Sequence, residues 1–324
     1  MTLFDLSVET DSGRGDLQTV DGLRFLMEVD GIGPSKASKI AQTFRTLTNL
    51  REASDDVLLN LVGKPSQLLS RHRFGDIGPV SLPMDVRAIS VFDDEWPESL
   101  KKLGSAPAII YVVGSLPSVP CIAIVGTRQP TTFGLNVVEK VAKETALRKW
   151  GIVSGLAAGI DTAAHEMAIH YGTKTWAILG GGVDAPTPAA NRGLAEAIVN
   201  SGGGLISEQE PGIEPNAQRL VSRNRLQVAF SSIVLAAQAG IPSGTLHTVR
   251  FAIEQGKYLV VPRPTERWAD EPQSAGNIAL TNPTGCNPEI LSATAQLGKT
   301  ISMRHPVADL VLTSADIGSI WMNV

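Results

Sequence analysis

The sequence predicts an α/β protein, a doubly wound and mostly parallel sheet preceded by a small all-α domain. Three observations carry that prediction. From Cys121 to Val261, short apolar runs alternate with stretches of helical length. Most of those runs end at or near glycine, which lays backbone-rich turns along one edge of a sheet. Residues 21–75 instead space their apolar side chains at helical intervals.

Composition bounds the rest. With 324 residues, 43% of them hydrophobic, the chain has material for one large domain and a smaller one. No apolar run reaches transmembrane length, and residues 1–20 are too acidic and polar for a signal peptide, so a cytoplasmic protein without membrane contact is expected. Cys121 and Cys286 lack metal-ligand spacing and suit a reducing compartment. The net charge of −4 argues against a globally basic nucleic-acid binder. Residues 121–264 nevertheless hold 13 Lys and Arg against 10 Asp and Glu, between two acidic flanks. Any polyanion site is therefore expected in that middle part.

The expected boundaries are a flexible lead over 1–20, a helical domain over 21–75, the α/β domain over 84–290 and a short tail over 291–324. Leu23 to Leu47 reads as helix, tight hairpin, helix. Pro34 suits the first helical turn, and Ala37, Ile40 and Phe44 share one face. Such a hairpin either packs against its neighbours or offers its amides to a nucleic-acid phosphate. Helical patterning continues from Val57 to Val62, and residues 63–83 read as linker. Ala88–Phe92 and Ala108–Val113 are short strands, with a brief helix opened by the acidic residues before Pro97.

Ile122 to Val125 is apolar on both faces, as a strand covered on each side by helices must be. Gly126 lets the chain turn there, and a helix is expected from about Thr132 to about Trp150. The predicted strands that follow are 151–155, 174–179, 204–207, 232–237 and 257–261, with helices over 161–171, 191–200 and about 245–255. Ligands of such sheets sit beyond the carboxyl ends of the strands.

Those ends carry Gly126-Thr127-Arg128, Ser154-Gly155, Gly180-Gly181-Gly182, Ser207-Glu208 and Ser243-Gly244-Thr245. Helix-start amides and a planar guanidinium favour phosphate, although the same residues also serve as simple caps. Arg219, Arg223, Asn224 and Arg225 add charge after Glu210, suited to pairing phosphates and stacking on bases, with a solvated helix start as the alternative. Phe133 is a candidate for stacking on a base. Catalytic constellations are poor. Asp161 reads more simply as a helix cap than as a base, and His165 as a buried, hydrogen-bonded side chain. There is no Walker lysine, no nucleophile elbow and no metal-ligand spacing beside Glu208 and Glu210.

At these residues the chain resembles the bacterial DNA-processing protein A family, also called DprA or Smf. The matching motifs are Trp96-Pro97 with Leu100, Ile124-Val-Gly-Thr-Arg128 with Phe133-Gly134, Ser154-Gly-Leu-Ala-Ala-Gly-Ile-Asp161 with Ala164-His165, Ser207-Glu208, Arg223-Asn224-Arg225 and Ser243-Gly244-Thr245. The hairpin before them is similar to the family's SAM-like amino-terminal domain. The resemblance implies a Rossmann-like domain that binds single-stranded DNA, forms a homodimer and loads a RecA-type recombinase, in natural transformation or in related DNA processing or defence. It implies no cofactor and no established catalysis. Carried over by motif, Gly126, Thr127 and Arg128 hold backbone phosphate, Arg223, Asn224 and Arg225 line the same groove, and Ser243, Gly244 and Thr245 close it, with Gly155, Gly181 and Arg219 nearby. The chain departs from the family at Ala158, where some relatives are basic, and at Arg263, which interrupts a Val-Pro-Gly ending. The competing class is a nucleotide-binding sensor or nucleotide-processing enzyme similar to the lysine-decarboxylase-like family. The positions after Thr245 lack that family's catalytic acid.

Overall fold

The computed structural model describes residues 15–63, 75–79, 81–282, 307–313 and 317–322. Cys286 and much of the expected lead, linker and tail lie outside them. The chain divides into two compact units, residues 1–82 with 88–110, and residues 83–87 with 111–324.

The first unit holds α1 (Val20–Met27), α2 (Pro34–Phe44), α3 (Leu47–Glu52) and α4 (Asp55–Val62). Caps fix the helix starts. The Thr19 hydroxyl accepts from the Gly22 amide, the Thr46 hydroxyl accepts from the Asn49 amide, and Pro34 opens α2 behind Gly33. Leu23, Leu26, Ile40, Ala41, Leu50 and Leu58 are fully buried, so the helical spacing marks a true inner face. Next come β1 (Arg87–Ser90), α5 (Glu98–Lys101) and the start of β2 (Ile109–Gly114), where the Val91 amide donates to the Ala108 carbonyl at 2.9 Å.

The second unit continues with β3 (Cys121–Gly126), α6 (Thr132–Leu147), β4 (Gly151–Ser154), α7 (Ile160–His170), β5 (Thr175–Ile178), α8 (Arg192–Asn200), β6 (Gly204–Ser207), α9 (Ala217–Ser222) and α10 (Asn224–Ala229). It closes with β7 (Ile233–Gln238), α11 (Gly244–Glu254), β8 (Tyr258–Pro262), α12 (Glu266–Ala269), α13 (Ala275–Leu280) and β9 (Leu310–Leu312). From Tyr111 onward the strand order is β2-β6-β5-β4-β3-β7-β8-β9, with β2 antiparallel to β6 and the other pairings parallel. This is the α/β, Rossmann-like class expected from the alternation.

The chain steps outward from β3 through β4 and β5 to β6, then returns to the far side of β3 to lay down β7 and β8. The direction of winding therefore reverses between β3 and β7, which opens a crevice at their carboxyl ends. Alternate residues of each strand feed two cores. Ile122, Ile124, Ile233 and Leu235 pack with α6 and α7, whereas Ala123, Val125, Val234 and Ala236 pack with α10, α11 and α13.

Some local details differ from expectation. Helix α6 stops at Leu147 because Lys149 takes a φ of 58°, and the Trp150 amide then closes the turn on the Thr145 carbonyl at 3.1 Å. The charged stretch after Glu210 folds into α9 and α10, the former capped by the Asn216 side chain, which accepts from the Arg219 amide at 2.8 Å. Among the described residues no helix is long and apolar enough to cross a membrane.

Candidate nucleic-acid interface

The crevice between the β3 and β7 exits is a groove of about 660 Å³. One side is Gly126, Thr127 and Arg128; the other is Ser243, Gly244 and Thr245 at the start of α11, with Asn224 and Arg223 also lining it. Eight of the thirteen residues proposed from sequence thus share one concavity, although α6 to α10 intervene in the chain.

The loop after β3 is held rigidly. The Thr127 amide donates to the Gln238 carbonyl at 2.7 Å, and the Thr127 carbonyl accepts from the Ile160 amide at 3.1 Å. The fully buried Gln238 side chain accepts from the Thr131 amide at 2.9 Å and donates to the Thr131 hydroxyl at 2.9 Å and the Ser274 hydroxyl at 3.2 Å. Glycine is required at 126 by close approach, since a Cβ there would stand 2.5 Å from the Ile160 side chain and 2.8 Å from the Gln238 carbonyl oxygen. Across the groove, the Ser243 hydroxyl accepts from the Thr245 amide at 3.2 Å, so α11 presents a capped, positively polarised end.

The arginines differ in what surrounds them. Arg128 is exposed at the groove and makes no ion pair or hydrogen bond through its guanidinium among the described residues. Arg223 is buried at 5% exposure, donates to the Ile178 carbonyl at 2.6 Å and lies 3.8 Å from the Asp161 carboxylate. Its guanidinium covers Gly155, where any side chain would overlap it. Arg225 grips Glu208 through two hydrogen bonds, of 2.8 and 2.7 Å, and does not line the groove. Arg219 donates to the Glu214 carbonyl at 2.9 Å, and Gly181 lies under Ile213 and Pro215. Phe133 lines a separate cavity on the α6 side.

Burial shifts three titratable groups of this unit, Asp161 in the groove lining, His165 and Cys121. Burial raises the Asp161 pKa, and the neighbouring Arg223 only partly opposes the shift. His165 is fully buried, with Nδ1 at 2.8 Å from the Thr175 hydroxyl, and burial followed by the Arg223 charge pulls its pKa down to about 3. Burial lifts the Cys121 thiol to about 12, which keeps it protonated. Among the described residues no group of three or more His, Cys, Asp or Glu side chains could hold a metal ion.

Sequence reasoning places Thr131 at a helix start and Gln238 at a strand exit but does not pair them. A signal existed: Gln238 is the polar residue ending the apolar run Ile233–Ala237, and a buried amide at the middle of a sheet must find partners.

Comparisons with known proteins point to one family. The family model for DNA recombination-mediator protein A matches residues 87–302. Protein Smf of Synechocystis is 32% identical over 249 residues, spanning 70% of this chain and 60% of its own length. DNA processing protein DprA of Streptococcus pneumoniae is 37% identical over 172 residues, spanning 52% of this chain and 60% of its own length. The chain therefore spans 60% of the length of each of these two relatives. The crystal structure of the pneumococcal protein superposes with a TM-score of 0.67 at 25% identity, covering 85% of this chain and 97% of that one. A Helicobacter pylori DNA processing protein A, described for its single-stranded DNA binding mode, gives 0.53 at 28% identity over 60% of this chain and 86% of its own. By family model, sequence identity and fold together, this chain belongs to the DNA recombination-mediator protein A family.

Proposed function

We propose that the chain binds single-stranded DNA along the β3/β7 groove and presents it to a RecA-type recombinase, acting as a cytoplasmic homodimer. One observation carries the reading. Arg128 is an exposed guanidinium with no ion pair or hydrogen bond among the described residues, set on a hydrogen-bonded loop and lining one groove with the N-terminal end of α11. That arrangement suits a flexible chain of phosphates. The single-stranded DNA binding described for the H. pylori relative supports the choice of ligand. Sequence preference should be weak, because the groove offers phosphate contacts rather than a pattern of base edges. Binding rather than turnover is also part of the reading, since Asp161 is committed to Arg223 and His165 to Thr175.

The test is fluorescence anisotropy with a single-stranded oligonucleotide and the matching blunt duplex, for the parent and Arg128→Ala, at several salt concentrations. The parent should prefer the single strand. Arg128→Ala should lose roughly ten- to hundredfold in affinity, the size of one charge-assisted contact. It should also flatten the slope of log K against log salt by about 0.7. Equal affinity for duplex and single strand, or an unchanged slope in the variant, would reject the groove as the binding site.

A further inference from the structure

A second concavity, of about 170 Å³, lies on the α6 side at the carboxyl ends of β8 and β9. Phe133, Val137 and Lys140 of α6 line it, together with Arg263 at the β8 exit, Trp268 of α12 and Leu312 of β9. Its size suits one aromatic ring, since a protein cavity of about 150 Å³ admits benzene. Its lining joins two aromatic side chains to two cations, and neither Lys140 nor Arg263 makes an ion pair among the described residues. The Arg263 amide donates to the Leu312 carbonyl at 3.0 Å, which fixes that residue at the rim, and the Arg267 guanidinium stands 4.7 Å from the Trp268 ring centre. Phe133 sits in the first turn of α6, directly after the loop that carries Arg128. Phe133 in the cavity lining therefore stands five positions after Arg128 in the groove lining.

We infer that the cavity receives one nucleobase of the bound strand. Phe133 and Trp268 supply apolar walls, and Lys140 and Arg263 take the flanking phosphates. The inference rests on the single-stranded DNA reading above and extends it to residues outside the groove. A free nucleotide shares the same chemistry, but the adjoining groove favours a base that arrives on a strand.

The experiment measures affinity for a thymidine 20-mer and for the same backbone made wholly of abasic units, with the parent, Trp268→Ala, Trp268→Phe, Arg263→Ala and Arg128→Ala. Thymidine monophosphate is titrated in parallel. For the parent, removing the bases should cost roughly tenfold or more. Trp268→Ala should bind the 20-mer about as weakly as the parent binds the abasic strand and show little further loss with the latter, while Trp268→Phe restores the difference. Arg263→Ala should lower the salt slope by about 0.7. If Arg128→Ala weakens binding but neither base removal nor Trp268→Ala does, the cavity inference fails and the groove stands. If the 20-mer does not bind, or binds independently of Arg128, both fail. Saturable binding of the monophosphate that needs Trp268, with no base dependence on the strand, would overturn the assignment to a strand.

Discussion

Arg128 and Arg225 carry the same charge but face opposite balances of cost and gain. The Arg225–Glu208 pair is about nine-tenths buried, and its desolvation is offset by paired hydrogen bonds. Arg225→Ala leaves a buried carboxylate without its partner and should cost on the order of 3–5 kcal/mol, read as an early transition in chemical denaturation. Arg128→Ala should change stability by no more than about 0.5 kcal/mol while weakening DNA binding. His165 gives a pH signature. Its folded pKa, about 3, lies below the ordinary imidazole value of 6.5, so its contribution is fully present above pH 6.5 and is lost as pH falls toward 3. The difference in stability between parent and His165→Gln should therefore shrink below pH 6.5, by at most about 1.4 kcal/mol per pH unit. A difference independent of pH would mean that the imidazole protonates in the folded state. The run Arg223-Asn224-Arg225 made the charges visible in the sequence, but not which of them is buried against a carboxylate. Asp161 and Glu208 stand on other elements, and local patterning carries no information about such pairs.

Gln238 shows how one strand sets the geometry of a loop that belongs to another. It ends β7, yet its side chain fixes Thr131 just before α6, and its backbone carbonyl fixes Thr127 just after β3. Gln238→Leu preserves approximate volume but strands the Thr131 amide and hydroxyl, at a cost of about 1–3 kcal/mol. Affinity for single-stranded DNA should drop with it, because Arg128 loses a fixed base. Gln238→Glu keeps the acceptor for the Thr131 amide and should recover part of the affinity. Equal binding by the parent and both variants would show that the loop is positioned by other contacts. The elements themselves were legible because each rests on local signals, such as the apolar run Ile122–Val125, the glycine that ends it and the polar residues before α6. Helix α9 was legible only as an alternative helix start, since its six residues bury none of their number and so lack a periodic apolar face.

At the scale of the molecule, the alternation of strand and helix was enough for the α/β class, but the return of β7 to the far side of β3 was not in the pattern. That crossing brings Arg128 and Thr245 to one groove. Charge is distributed at this scale too. The net charge is −4, and the excess of Lys and Arg is confined to residues 121–264. A polyanion therefore meets overall repulsion at long range and attraction only on contact. At about 10 mM salt the screening length is near 30 Å and the repulsion is felt; at about 100 mM it is near 10 Å and mostly is not. The association rate for single-stranded DNA, followed by stopped-flow fluorescence, should accordingly stay level or rise modestly over that range. The dissociation rate should climb as cations compete for the phosphates, so the loss of affinity with salt lies in dissociation. An association rate that falls steeply with salt would show instead that the field at the groove, rather than the net charge, governs the approach of DNA.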